Sequence, residues 1–146
     1  MKRLILVGLI GLAVLPALAF VACGDGEEEG PAAGGTVQVT LDEWTIKPDV
    51  KTVTTGSIRF RAENQGDVPH ELEVFAIGKD LDIAKLPIKE NKAVVVASEI
   101  GEIEEEDLPK GGKAEITFTF TAGRYLLICN IAGHYQQGMY ADITAQ

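Results

Sequence analysis

From Thr36 onward, apolar and polar residues alternate with a period of two, in short runs separated by turn residues. That period marks strands that bury one face. Thr36 to Ile46 alternates through Val37, Val39 and Leu41 to Trp44, and Ser57 to Ala62 sets Ile58 and Phe60 against Arg59 and Arg61. Glu71 to Ile77 places Leu72, Val74 and Ala76 on one side, while Lys113 to Thr121 alternates Ile116, Phe118 and Phe120 with Glu115, Thr117 and Thr119. Gly123 opens the run Tyr125-Leu126-Leu127-Ile128-Cys129, and Met139 to Thr144 makes a last strand. No long helical stripe competes with this pattern. Between Gly78 and Gly112 the text changes: Asp80 to Leu86 reads as one or two helical turns, with Pro87 and Pro109 as breakers. The segment of about 79–111 therefore reads as an insertion, and its acidic run Glu99, Glu102, Glu104, Glu105, Glu106 and Asp107 as a solvated loop, with docking of a basic partner as the alternative. About seven strands in roughly 110 residues predict an all-β domain, a β-sandwich of two antiparallel sheets with Greek-key links and a short, partly helical insertion. Trp44 is expected in core or half-buried packing rather than stacked on a ligand.

Ahead of this domain, Lys2 and Arg3 precede an uncharged apolar run from Leu4 to Ala22, so residues 1–22 read as a signal peptide. The run ends in Phe20-Val21-Ala22-Cys23, which resembles a bacterial lipobox with Phe20 where Leu is usual. Cys23 is then the lipidation site. Plain secretion, or retention of the run as a membrane-spanning anchor, would also place the domain outside the cytoplasm. The expected location is an exported lipoprotein held at the cell membrane by Cys23, facing the periplasm or the exterior. Residues 23–35, Gly-rich and acidic, read as a flexible tether, leaving 36–146 as the one domain that the length allows. With 46% hydrophobic and 24% charged residues, the composition disfavours both disorder and a polytopic membrane protein. Loss of residues 1–22 removes two cations and no acids, so the net charge moves from −9 to −11. Such a surface repels nucleic acid and is compatible with basic protein partners.

Scarcity is the informative feature of the chemistry. The chain has two His, two Cys and two Met, of which Met1 and Cys23 are accounted for by initiation and the leader. Three of the four that remain lie in one segment, Cys129-Asn130-Ile131-Ala132-Gly133-His134-Tyr135-Gln136-Gln137-Gly138-Met139, with the spacing Cys-x4-His-x4-Met. The fourth, His70, follows the turn-like Asn64-Gln65-Gly66-Asp67-Val68-Pro69 and opens a strand. Two imidazoles, a thiolate and a weak thioether are the ligand set of a mononuclear electron-transfer copper site, and zinc would not choose Met. Gly133 and Gly138 are expected to let the loop bend close to the metal.

With these residues in place, the segment from about Thr36 to Gln146 resembles the cupredoxins, the blue-copper fold of plastocyanins and azurins. Asn64 to Val74 is similar to the family's Asn-x-Gly...His region, and Gly123 to Met139 to its Gly-x-Tyr...Cys-x4-His-x4-Met region. The spacing is nearest the sulfocyanin and rusticyanin branch. The resemblance implies one type 1 copper, with Cys129 as the thiolate, His70 and His134 completing a trigonal plane, and Met139 as the long axial ligand. It implies further that the carbonyl of Pro69, not itself a ligand, can approach copper weakly from the side opposite Met139, and that electrons pass through the exposed edge of His134. Ile131, Ala132 and Tyr135 would form the apolar rim on which a redox partner docks. One departure stands out: Glu71 occupies the position where the family commonly has an Asn that locks the two ligand loops together. Asn130 is a second candidate for tying them.

The expected function is single-electron transfer between exported or membrane redox partners, such as a cytochrome or a membrane oxidoreductase, by a monomer. The alternative is a copper-binding module for delivery or buffering, although such sites favour exposed Met- or His-rich clusters. Enzymatic activity is not expected. Two His cannot supply a multicopper oxidase, no second Cys stands in the loop for a two-copper centre, and neither a nucleophile elbow nor a phosphate loop is present.

Overall fold

The alternating runs form the strands of two sheets in a computed structural model that describes residues 34–146. The signal peptide, Cys23 and all but the last two residues of the tether lie outside the described residues. In chain order the strands are β1 (Thr36–Asp42), β2 (Thr45–Pro48), β3 (Thr52–Val53), β4 (Gly56–Asn64), β5 (Leu72–Ile77), β6 (Ile88–Lys89), β7 (Lys92–Ala93), β8 (Ser98–Ile103), β9 (Lys113–Phe120), β10 (Gly123–Ile128) and β11 (Tyr140–Ala145). One sheet has the order β2-β1-β4-β9, the other β3-β11-β10-β5-β8, and β6 with β7 forms a separate hairpin. The domain is thus the expected all-β sandwich.

The two inward faces supply the main core. Val37, Val39 and Leu41 of β1, Ile58 and Phe60 of β4, and Phe118 and Phe120 of β9 meet Leu72 and Val74 of β5, Tyr125 and Leu127 of β10, and Ile143 of β11. Phe60 stacks on Phe120 at 5.6 Å and meets Phe118 edge-on at 5.1 Å, so three rings fill the centre.

Three expectations change. The run from Thr36 to Ile46 is not one strand: it turns at Glu43-Trp44, and β2 pairs back on β1 with Leu41 opposite Ile46. The sheets are not antiparallel throughout, because β1 runs parallel to β4 and β3 parallel to β11. A parallel pair needs a crossover, and the passage through β2 and β3 to the second sheet provides it. Asp80 to Leu86 forms turns rather than a helix. The Asp82 carboxylate accepts the Ala84 N–H at 3.1 Å, a local bond that competes with helical pairing. Within 79–111 the helical content among the described residues is a single 3-10 turn, Glu105–Asp107.

That segment is also more than an excursion. β8 is the edge strand beside β5, and Leu86 and Ala93 pack with Phe75, Ile77, Leu126, Ile128 and Tyr135 in a second cluster on the outer face of the sheet. The unbroken apolar run Tyr125 to Cys129 follows from this cover: both faces of β10 are buried, so alternation has no reason to appear. Among the described residues no helix is long and apolar enough to cross a membrane.

Candidate metal centre

Register brings the four sequence-selected residues to one end of the sandwich. β5 and β10 are antiparallel neighbours with Glu73 opposite Ile128, so His70, just before β5, meets Cys129, just after β10. β10 also pairs with β11, Ile128 opposite Tyr140, so the loop 129–139 closes at the same end. In that loop His134–Gln137 forms one helical turn, flanked by Gly133 at φ 93° and Gly138 at φ 117°. Both glycines hold a conformation that L side chains avoid. A Cβ on Gly138 would also press to 3.3 Å from the Trp44 carbonyl oxygen.

Three donor atoms face one another. His70 Nδ1 and His134 Nδ1 are 3.4 Å apart, and Cys129 Sγ lies 3.3 Å from His134 Nδ1 and 3.9 Å from His70 Nδ1. A circle through the corners of a triangle with those sides has a radius of about 2.1 Å, the length of a first-row metal–nitrogen bond. The donor set therefore fits one metal ion without rearrangement. His70 and Cys129 are completely enclosed, whereas His134 is half-buried. Met139 is fully buried in the same core cluster as Cys129, and its carbonyl accepts the Cys129 N–H at 3.1 Å.

The electrostatics suit a cation. Burial, and then the neighbouring His134, lower the pKa of His70; burial likewise lowers that of His134, against the pull of Glu105 and Glu43. Burial pushes the Cys129 thiol up to about 11, opposed by the backbone N–H groups of Glu71 and Ile131. Neutral imidazoles and a thiol whose charged form is costly make a site in which a bound cation would release the thiol proton and compensate the thiolate.

The loops are fixed by residues other than the donors. Asn64, almost fully buried, donates from Nδ2 to the carbonyls of Val68 at 2.8 Å and Leu108 at 2.9 Å, and its Oδ1 accepts the Gly66 N–H. The Leu108 carbonyl also accepts the His70 N–H at 3.1 Å. Glu71, the departure from the family pattern, ties the two ligand loops: its carboxylate accepts the Asn130 N–H at 2.8 Å, and its own N–H points at Cys129 Sγ at 3.4 Å. Asn130 faces the other way, its amide exchanging bonds with the Ala93 backbone at 2.7 and 3.2 Å. Together with the bond from Gly133 N–H to the Asn91 carbonyl, this docks the β6–β7 hairpin on the ligand loop.

Two side chains at the site escaped the sequence reading. Glu43 places Oε1 3.6 Å from His70 Nε2, and the same oxygen accepts the N–H groups of Asp67 and Val68. Those backbone bonds, Val68 first, hold its carboxyl below the usual range. Trp44 is partly buried as expected, but it packs on a candidate ligand: its ring meets His134 edge-on with centroids 5.0 Å apart. Tyr135 is a correction in the other sense. It does not belong to a surface rim, since it is buried and its hydroxyl accepts the Leu86 N–H and donates to the Ile83 carbonyl. Ile131 is partly exposed and Ala132 exposed beside it.

Comparison with known proteins agrees with this arrangement. Residues 50–146 match the model of the Sulfocyanin (SoxE) domain. The copper-resistant cuproprotein CopI of Pseudomonas aeruginosa is 26% identical over 140 residues, covering 78% of this chain and 77% of the relative. Among solved structures, the dithionite-reduced auracyanin of Roseiflexus castenholzii superposes with a TM-score of 0.55 at 22% identity, over 80% of this chain and 99% of the other. Auracyanin A of Chloroflexus aurantiacus gives 0.52 at 24% identity, over 77% and 100%. These structures are similar in fold.

Proposed function

This chain belongs to the sulfocyanin family of cupredoxins, and on that premise we propose that it is an exported one-electron carrier holding a single copper ion through His70, Cys129, His134 and Met139. The observation that carries the reading is the triangle of Nδ1, Nδ1 and Sγ, sized for one metal ion and walled in by core residues. Copper bound there would supply the Cu(I)/Cu(II) couple, and the soft sulfur donors favour it over zinc. The protein's part is to present neutral imidazoles, to take up the thiolate charge without water, and to keep the loops still by the ties from Glu71, Asn64 and Asn130.

His134 is the one donor with an edge toward solvent, which supports electron entry and exit there, with Ile131 and Ala132 beside it for a redox partner. Two of the solved relatives support it: one auracyanin was reduced by dithionite, and another is a blue copper protein. Lipidation at Cys23 would hold the carrier at the membrane with the domain on a tether of about a dozen residues.

A second reading, copper buffering or delivery, draws support from the likeness to a copper-resistant cuproprotein. Against it stands the enclosure of His70 and Cys129, which leaves a single approach for an acceptor. The test is the visible spectrum of the copper-loaded protein beside Cys129→Ser. An intense thiolate-to-copper band, bleached by mild reductant, restored by oxidant and missing in the variant, is expected. A colourless protein that binds Cu(I) and does not cycle would refute the carrier and favour delivery.

A further inference from the structure

We propose that Glu43 is a positioning residue for the copper centre: from the β1–β2 turn its carboxylate fixes the tautomer and orientation of His70, and its charge favours the more positive state of the site. The inference rests on the reading of His70 as a ligand.

His70 is completely enclosed, and among the described residues its Nε2 has no hydrogen-bond partner. The ionisable oxygen that faces it is Glu43 Oε1 at 3.6 Å. With Nδ1 turned to Cys129 and His134, ligation through Nδ1 leaves the imidazole proton on Nε2, and a carboxylate opposite that N–H is the arrangement that fixes a ligand histidine and raises its basicity. The carboxylate is itself anchored, since Oε1 also accepts the N–H groups of Asp67 at 2.7 Å and Val68 at 3.0 Å. The loop is shaped against it: a Cβ on Gly66 would collide with the Glu43 carboxylate group. The next residue, Trp44, sets its ring on His134. One turn, far in sequence from both ligand loops, thus addresses both imidazoles.

A negative charge at this range stabilises the oxidised, more positive centre over the reduced one, and removing it raises the potential. Glu43→Gln keeps an oxygen for the two backbone N–H groups and removes the charge, whereas Glu43→Ala removes both. On the full chain loaded with copper, Glu43→Gln is expected to lose at least tenfold in Cu(II) relative to Cu(I) affinity, which for one electron is a rise of about 59 mV. In the metal-free protein, nitrogen-15 spectra of the imidazoles should show His70 as the Nε2–H tautomer in the wild type and as a mixture in Glu43→Ala. An unchanged potential in Glu43→Gln overturns the role of the charge, and a pure Nε2–H tautomer in Glu43→Ala overturns the positioning. Failure of the wild type to take up copper would instead remove the ligand assignment, and the tautomer measurement would still judge Glu43.

Discussion

Glu73 offers a sharp test of the electrostatics beside the site. It lies on β5 opposite Glu102 of β8, with Ile128 on its other side. Burial first, then the charges of Glu71, Glu102 and Glu99, raise its carboxyl from an ordinary 4.5 to about 7, with Lys92 opposing. The sign follows from which form the fold prefers. Below pH 4.5 Glu73 is neutral in both states and costs nothing. As pH rises towards 7 the unfolded chain ionises freely while the folded protein resists, so stability is lost across that window and stays lost above it. The span from 4.5 to about 7, at 1.36 kcal/mol per pH unit, corresponds to about 3.4 kcal/mol. Because the side chain is partly open to solvent, screening reduces this to roughly 1.5–2 kcal/mol. Glu73→Gln should therefore stabilise the metal-free protein by that amount at pH 8 and leave it unchanged at pH 4. For a domain of this size that is a gain of about 6–8 °C in Tm. Urea or thermal unfolding followed by far-ultraviolet circular dichroism from pH 4 to 9 measures it. A difference between variant and wild type that is constant with pH would refute the argument, and so would a loss of stability at pH 8.

Asn64→Ala leaves the Val68 and Leu108 carbonyls and the Gly66 N–H short of partners in a buried place; a loss of about 2–3 kcal/mol in urea unfolding is expected, with weaker copper retention because the loop carrying His70 loosens. Tyr135→Phe removes the hydroxyl bridging the Leu86 N–H and the Ile83 carbonyl, for a cost of about 1–3 kcal/mol and faster amide exchange at Leu86. Unaltered exchange there would show that the apolar packing of Leu86 alone holds the 81–86 segment.

The strands and the four candidate ligands were legible because each left a local mark: two-residue alternation for β4 and β9, and scarce soft residues at fixed spacing for the loop. Glu43 left only a faint one. The alternation through Val37, Val39 and Leu41 predicts an apolar residue at 43 and slips by one to Trp44, but the turn has no Gly, Pro or Asn to mark it, and the partner His70 is 27 residues away. The cover provided by 79–97 was hidden by its charged and Pro-containing text, although its complement stood in plain view. Five consecutive apolar residues from Tyr125 to Cys129 require an apolar neighbour on each face, and one opposing sheet can supply only one. Glu71 was legible as a departure but not in its effect, since only the register shows its carboxylate reaching the Asn130 N–H.

The same ties bear on how a carrier differs from a delivery protein. A centre that only exchanges electrons works best when its donors barely move between oxidation states, whereas one that hands on its metal must open. Here the loop 129–139 is closed at its base by Cys129 N–H on the Met139 carbonyl, held on one flank by Glu71, and held on the other by Asn130 and Gly133 against the β6–β7 hairpin. That hairpin is in turn held to the outer face of the sheet by Ala93 in the second apolar cluster. Opening the loop that carries His134 and Cys129 therefore means breaking backbone and amide bonds on both flanks together, a sub-global event. The acidic residues along β8 add no counter-argument, because among the described residues none supplies a donor to the triangle. A fold that spends its side-chain hydrogen bonds in this way favours the exchange of electrons over the exchange of metal.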